Sequence, residues 1–312
     1  MKTLLHCSVL FLLAAVSGLA SLIPINTDVV KKAVVFLYAT TSAGQPDTSK
    51  ELATGFLIEI PKKNDPSQSY VALVTARHVV DPMWACVGTE NPKLIYARVN
   101  RKQYDASRDA SGVEFLPIPL VVDGKAVWTK HSTDTVDAVL VPVAASKFLE
   151  NDIAVIKVRE FGTSTEIKGV GIGDEIISAG LVPGLSGKKR NYPFFKFGRV
   201  SNIPDEQGFI PCHGDTKPLE YWYIAATLIG GNSGSPIFFL PPGNAVISFA
   251  GSTTPTRTFL LGLQSMSLQA GEIAGMTPVE RIFEIIESLK LPDADLFRGP
   301  LPNPPPPAPT KK

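Results

Sequence analysis

The sequence has few of the residues from which metal sites and nucleic-acid-binding surfaces are made. Only three of its 312 residues are cysteine and four are histidine, and no His-Glu-x-x-His motif occurs. We therefore expect no metal and no cofactor. The net charge is only +1, which gives no reason to expect nucleic acid or an anionic membrane as a partner. Beyond the N-terminus, no run reaches the ~18 apolar residues that a membrane helix needs.

The first 20 residues are typical of a signal peptide. Lys2 supplies a positive charge, a mainly apolar stretch runs from Leu4 to Val16, and small residues precede Ser21. We expect cleavage before Ser21 and a secreted or periplasmic protein that is not inserted in a membrane afterwards; the alternative is an uncleaved membrane anchor. The oligomeric state is left open by the sequence.

Two cysteines, Cys86 and Cys212, remain in the chain after this cleavage. Export permits a disulfide, but the wide separation of the pair gives no sign of one. Of the two alternatives, we favour two buried free thiols.

Short apolar runs separated by Gly, Pro, Asn, Asp and Ser predict an all-β fold between residues 21 and 290. They include 33–38, 55–60, 72–75, 94–99, 138–143, 153–158, 175–179, 195–200, 237–240 and 258–263. A helix is predicted after Thr277, where Thr-Pro-Val-Glu reads as a capping box and apolar residues follow at helical spacing. Residues 291–312 are rich in proline, so we expect a disordered tail.

One glycine-rich segment, Gly-Gly-Asn-Ser-Gly-Ser-Pro at residues 230–236, has the features of a nucleophile loop. Glycines around Ser233 allow a tight turn that aims consecutive N–H groups at one point. A serine nucleophile needs this arrangement, because an oxyanion must be stabilised beside it. The matching base is His78, which ends an apolar strand, whereas His131 and His213 lie in polar segments.

Two aspartates compete for the third position of the triad. Asp137 and Asp152 each begin an apolar run. The residues by themselves leave the choice between them open.

These motifs, in the order His, Asp, Ser, resemble the trypsin-like (chymotrypsin-fold) serine peptidases, closest to the bacterial HtrA-type branch but without its C-terminal peptide-binding (PDZ) domain. The resemblance implies two six-stranded antiparallel β-barrels with a boundary near 145–170, a C-terminal helix and a site between the barrels. It implies a secreted endopeptidase in which Ser233 attacks, His78 is the base, Asp137 orients it, and the N–H groups of Gly231 and Ser233 form the oxyanion hole. The local pattern after Asp152 is more similar to the acid of this family, but the resemblance favours Asp137. Related sequences have an aromatic residue and a histidine shortly before the acid, as Trp128 and His131 precede Asp137, and the run after Asp152 fits the segment that leads into the second barrel. Protein or peptide substrates are the expected partners.

The resemblance also predicts a primary substrate pocket. It is expected to involve Thr227, Leu263 and Met266 and to accept small or medium apolar side chains. Asn232 departs from the digestive enzymes, where an Asp before the serine pairs with a new N-terminal ammonium, so activation by that route is not expected. Two alternatives stay open: a catalytically inactive binding protein of the same fold, and an esterase on that fold.

Overall fold

The computed structural model describes residues 25–226, 231–242, 255–268 and 272–300. Strands dominate these residues, joined by short helices and one ten-residue helix near the C-terminal end. The predicted all-β class with a C-terminal helix is confirmed. The predicted signal peptide and residues 301–312 of the predicted tail lie outside the described residues. Within the described chain, no helix is both long and apolar enough to cross a membrane.

The first half of the chain is a sheet of eight strands with a separate small hairpin. Its strands are β1 (Val34–Thr40), β2 (Pro46–Pro61), β3 (Ser69–Thr75), β4 (Leu94–Asn100), β5 (Val113–Pro119), β6 (Val121–Val122), β7 (Lys125–Ala126), β8 (Thr129–Lys130), β9 (Val139–Pro142) and β10 (Ile156–Lys157). The order is β5-β4-β1-β2-β3-β9-β8, with β10 parallel to β2, while β6 and β7 pair with each other.

This sheet corresponds to the first predicted barrel, although the order of its described strands is open. Strand β5 lies at one edge and the two-residue β8 at the other. Pro117 and Pro119 in β5 have no N–H to donate, which suits an edge strand. Strand β3 lies between β2 and β9, and this central position holds its C-terminal end rigidly.

The second half closes into a six-stranded antiparallel barrel, as predicted. Its strands are β11 (Glu175–Gly180), β12 (Phe194–Asn202), β13 (Gly208–Cys212), β14 (Asp215–Leu219), β15 (Trp222–Ala226), β16 (Pro236–Phe239), β17 (Phe259–Leu268) and β18 (Ile273–Pro278). The barrel order is β11-β12-β15-β18-β17-β16, and β13–β14 form a hairpin outside it. Apolar side chains from both halves form one continuous core, in which Phe239 stacks on Phe259 with ring centroids 5.0 Å apart.

The helices are α1 (Thr27–Ala33), α2 (Arg77–Val80), α3 (Ala145–Leu149), α4 (Ser164–Lys168) and α5 (Val279–Ser288). Helix α5 buries Val279, Ile282, Phe283 and Ile286, as its apolar spacing predicts. The predicted capping box is wrong: the N-cap is Pro278, and no side chain caps the helix. The hydroxyl of Thr277 is unavailable as a cap because it bonds inside the barrel.

The chain beyond α5 returns to the first sheet. The N–H of Asp295 donates to Pro61 O, and the N–H of Lys63 donates to Asp293 O, each at 2.7 Å. Residues 291–300, which the sequence places in the Pro-rich tail, are therefore hydrogen-bonded to the end of β2.

Candidate active site

His78 and Asp137 lie side by side at the C-terminal end of β3. Strand β3 pairs with β9, and Thr75 is the register partner of Val139. The residues just after Thr75 and just before Val139 are therefore neighbours. Asp137 Oδ1 accepts a hydrogen bond from the His78 backbone N–H at 2.9 Å, and Asp137 Oδ2 lies 2.8 Å from His78 Nδ1. One carboxylate thus orients both the backbone and the ring of the histidine.

The two groups shift each other's titration. Burial acts to raise the pKa of Asp137, but the charge of His78 and hydrogen bonds from His78 and Arg77 outweigh it, so this pKa is lowered. Burial acts to lower the pKa of His78, but Asp137 outweighs it, so the pKa of the imidazole is raised. Because a carboxylate only accepts hydrogen bonds, Nδ1 carries a proton. Nε2 of the neutral ring is then an acceptor.

Two buried hydroxyls support Asp137 from the second barrel. Thr277 Oγ1 donates to the Asp137 carbonyl oxygen at 3.3 Å, and Ser265 Oγ lies 2.6 Å from Thr277 Oγ1. Both side chains are fully buried. Sequence reasoning missed this role; the available signal was a polar residue, Ser265, inside a strand that is otherwise largely apolar.

Asp152, the alternative acid, makes different contacts. Its Oδ1 lies 2.8 Å from Lys32 Nζ, and its Oδ2 accepts from Arg190 at 3.0 Å. These ion pairs connect Asp152 to α1 and to the loop between β11 and β12. The described geometry therefore places Asp137, and not Asp152, against His78.

The loop that carries Ser233 is fixed by glycines and by the first sheet. Gly231 and Gly234 have φ of 90° and 86°, which favour glycine. A Cβ on Gly234 would collide with Thr54 O and Thr75 Oγ1 and would lie 3.2 Å from the Ala76 nitrogen. Since Ala76 is two residues before His78, this close approach brings the serine loop to the end of β3. Ser233 itself is half-buried.

Thr54 connects this loop to both halves of the molecule. Its N–H donates to Ser233 O at 2.9 Å, and its Oγ1 donates to Gly231 O at 2.8 Å. The same Oγ1 accepts from the N–H of Leu181, which follows β11, at 3.0 Å. The sequence predicts only a strand over 55–60 here, so the contact of Thr54 with the loop is a new finding.

The expected oxyanion donors are Gly231 and Ser233. Within the described parts of the chain, no backbone carbonyl accepts a hydrogen bond from either N–H. Two other backbone N–H groups of the loop are occupied, since Gly234 N–H donates to Gln264 O at 2.7 Å and Ser235 N–H donates to Asn232 O at 2.8 Å. The loop is thus anchored around these two N–H groups.

The predicted substrate pocket stays a prediction. Thr227 lies outside the described residues. Leu263 is fully buried in the core, and Met266 is half-buried, with its sulfur 3.5 Å from the hydroxyl of Tyr221. The chain between them, at Gln264, hydrogen-bonds the serine loop through its backbone N–H and carbonyl.

A charged cluster supports the segments on either side of the His78–Asp137 pair. Arg77 and Lys217 lie over the Trp84 ring, with their cationic centres 4.2 and 4.4 Å from its centroid. Asp134 accepts from Arg77 at 2.8 Å and contacts Lys217 at 3.7 Å. Because Arg77 precedes His78 and Asp134 precedes Asp137 by three residues, this cluster ties the two segments together.

Cys86 and Cys212 form a disulfide, with their Cα atoms 5.2 Å apart. The expectation of free thiols is wrong, because the β13–β14 hairpin folds over the loop after α2 and brings together residues 126 positions apart. The donor atoms of Cys86, Cys212 and His213 lie within 4.8 Å of one another. The two sulfurs are bonded to each other, so they are not thiolate ligands for a metal.

No protein-family model matches the chain, and no curated protein matches its sequence. Solved structures are similar at low identity. The MamO protease domain from Magnetospirillum magneticum matches over 81% of this chain and 95% of its own, with 13% identity and a TM-score of 0.44. The thermostable serine protease AL20 from an extremophilic microorganism matches over 83% and 97%, with 11% identity and a TM-score of 0.45. Human heparin-binding protein matches over 86% and 96%, with 11% identity and a TM-score of 0.44.

Proposed function

We propose that the protein is a serine hydrolase that cleaves peptide bonds through a covalent acyl-enzyme. The observation that carries the proposal is the His78–Asp137 pair at the end of β3, with the loop of Ser233 held against that same strand end. This arrangement combines a nucleophile, a base and an orienting acid, which are the parts that acyl transfer requires.

The reaction begins when Ser233 Oγ attacks the carbonyl carbon of the scissile bond. His78 Nε2 takes the hydroxyl proton, and the carbonyl oxygen becomes an oxyanion. The intermediate then collapses, the C–N bond breaks, and His78 returns its proton to the leaving amine. Water repeats the sequence on the ester formed with Ser233, which releases the acid and restores the serine. Asp137 stabilises the imidazolium that forms at each step.

We assign stabilisation of the oxyanion to the backbone N–H groups of Gly231 and Ser233. A donor of this kind typically contributes ~2.7–4 kcal/mol to the transition state. The anchoring of the loop by Thr54 and Gln264 supports this role, because donors that are already oriented need no reorganisation when the charge develops.

Substrate class and location belong to the same proposal. We assign small or medium apolar side chains to the pocket, with Thr227, Leu263 and Met266 as its lining, and we assign the enzyme to the secreted or periplasmic space. Neither Asp nor Glu occurs between Tyr221 and Ser233, so a cationic substrate side chain would find no counter-charge in that segment.

The test is hydrolysis of a peptide library by the secreted protein and by two serine variants. Ser233→Ala is expected to abolish cleavage. Ser235→Ala is the matched control, because Ser235 is a fully buried serine of the same loop whose hydroxyl has no partner among the described groups. Cleavage by Ser233→Ala at the wild-type rate would refute the proposal. Hydrolysis of esters but not of peptides would restrict it to esterase chemistry.

A further inference from the structure

The side chain of Asn232 connects the serine loop to strand β12 of the second barrel. Asn232 is fully buried and stands between Gly231 and Ser233, the two residues assigned to the oxyanion. Its Oδ1 accepts a hydrogen bond from Lys196 Nζ of β12 at 2.9 Å. A single side-chain contact therefore connects an ammonium group in the barrel wall to the centre of the loop.

The surroundings of this contact are polar and closely fitted. Ser178 of β11 is the cross-strand partner of Lys196. A Cβ on Gly180, two residues further along β11, would lie 3.1 Å from Asn232 Oδ1 and would collide with Ser235 Oγ. Glycine at this position therefore leaves room for the loop to lie directly on β11. The hydroxyls of Ser178 and Ser235 are buried and have no partner among the described groups.

Lys196 is half-buried, and none of the ion pairs between described residues includes it. Burial lowers the pKa of Lys196. Removing an ammonium from water without a counter-charge costs free energy, and an apolar side chain would fill the barrel wall without that cost. The hydrogen bond to Asn232 is the specific contact that a cation at this position provides.

We propose that Lys196 is a positioning residue whose ammonium group, through Asn232, holds the N–H groups of Gly231 and Ser233 in the orientation that stabilises the oxyanion. An internal cation of the barrel then orders the loop, and no ammonium from a new chain end is required. The catalytic part of this inference rests on the proposed hydrolase function.

The expected defect is specific to the transition state. Gly231 has a φ of 90°, and glycine on this side of Asn232 lets the peptide groups reorient once the anchor is lost. Misdirected N–H groups weaken binding of the oxyanion, which forms during the reaction, more than binding of the ground-state carbonyl. Loss of the anchor therefore lowers kcat and leaves KM nearly unchanged.

Three variants test this. Lys196→Met removes the charge and keeps the length, and it is expected to lower kcat about 10- to 100-fold with KM changed less than about threefold. Lys196→Arg keeps a cation and should restore most of kcat. Arg199→Met is the matched control, because Arg199 lies on the same strand but is exposed and pairs with Glu175 at 2.9 Å. It should behave as the wild type.

The pH profile separates positioning from a general structural role. In the wild type, kcat should fall at alkaline pH as Lys196 loses its proton, and this fall should begin below the ordinary lysine value of 10.5 because burial lowers the pKa. Among the described residues, Ser178 of β11 is the cross-strand partner of Lys196 and Asn232 accepts its hydrogen bond, and neither side chain titrates in this range. On the other side of β12, the described residues of β15 pair with Gly198–Asn202, so none of them is the cross-strand partner of Lys196. Lys196→Arg should lack the alkaline fall, since guanidinium keeps its proton.

Hydrogen exchange makes the test independent of the proposed function. In Lys196→Met, exchange of the amides from Gly231 to Ser235 should be about tenfold faster, and in Arg199→Met it should be unchanged. If the wild type hydrolyses nothing, the proposed function fails while faster exchange still supports the Lys196 anchor. Unchanged exchange in Lys196→Met would overturn the inference, as would wild-type kcat. If Lys196→Met does not fold, the inference would be overturned by a Lys196→Arg variant whose kcat falls at alkaline pH as in the wild type.

Discussion

Replacement of Asp137 by asparagine should remove most of the activity while leaving the fold in place. Asp137 accepts two hydrogen bonds from His78, one from the backbone N–H at 2.9 Å and one from Nδ1 at 2.8 Å. Asparagine has one oxygen and one NH₂ group. If its oxygen stays on the backbone N–H, its NH₂ faces Nδ1, and the ring proton must move to Nε2. In that tautomer His78 can no longer accept the proton of Ser233.

The size of this effect follows from losing the correct tautomer while the remaining machinery is intact. We expect kcat to fall about 10⁴-fold, which corresponds to about 5.4 kcal/mol at 1.36 kcal/mol for each factor of ten. The pH profile should change as well. Only neutral His78 acts as a base, and Asp137 raises the pKa of His78, so wild-type activity should rise with a midpoint above 6.5. Without the carboxylate, this midpoint should move to lower pH.

The assay is steady-state hydrolysis of one peptide substrate between about pH 5 and 9, which includes the range of about pH 5 to 8 in which an unperturbed histidine titrates. Asp152→Asn is the matched control, because it makes the same change in an aspartate paired with Lys32 and Arg190. It should keep nearly full activity. A silent Asp137→Asn together with an inactive Asp152→Asn would refute the assignment and return the role of acid to Asp152.

Three further outcomes are expected. Gly234→Ala should lower the free energy of unfolding in urea by at least ~2 kcal/mol, because φ is 86° and a Cβ would collide with Thr54 and Thr75. Gly44→Ala is the control, because Gly44 has a φ of 76° but open space around it, and this variant should lose less stability. Equal losses in the two variants would argue against the close approach of Gly234 to Thr54 and Thr75. Reduction of the Cys86–Cys212 disulfide should lower the free energy of unfolding by ~2–4 kcal/mol, and without reductant a denatured protein beginning at Ser21 should show no free thiol; two reactive thiols would contradict the pairing. In matched peptides, Val at the cleavage position should give a higher kcat/KM than Arg. A kcat/KM for the Arg peptide about tenfold above that for the Val peptide, or about 1.4 kcal/mol in transition-state binding, would rule out the apolar pocket.

The site residues that we propose from the sequence lie in short motifs. Gly-Asn-Ser-Gly at 231–234 and the apolar strand that ends at His78 each place a proposed reacting group and its backbone requirement within a few residues. Asp137 carries no such local signature. It could be favoured over Asp152 only from its position in the chain, and the pairing of Thr75 with Val139 supplies the physical reason for its place beside His78.

The remaining features depend on contacts between distant segments. The disulfide joins two loops 126 residues apart, and no spacing rule detects such a pair. The residues around Thr277 predict a helix cap, but in the folded barrel its hydroxyl contacts Ser265 and donates to the Asp137 carbonyl oxygen. Lys196 is an ordinary strand lysine in the sequence, and only closure of the barrel brings its ammonium to Asn232.

The most direct test of the central claim is covalent capture of the nucleophile by a fluorophosphonate, followed by peptide mass spectrometry. The proposed mechanism predicts one phosphonylated residue, Ser233, with labelling slowed about 10³-fold or more in His78→Ala because the base is missing. Labelling of a different serine, or labelling of Ser233 at an unchanged rate without His78, would contradict it.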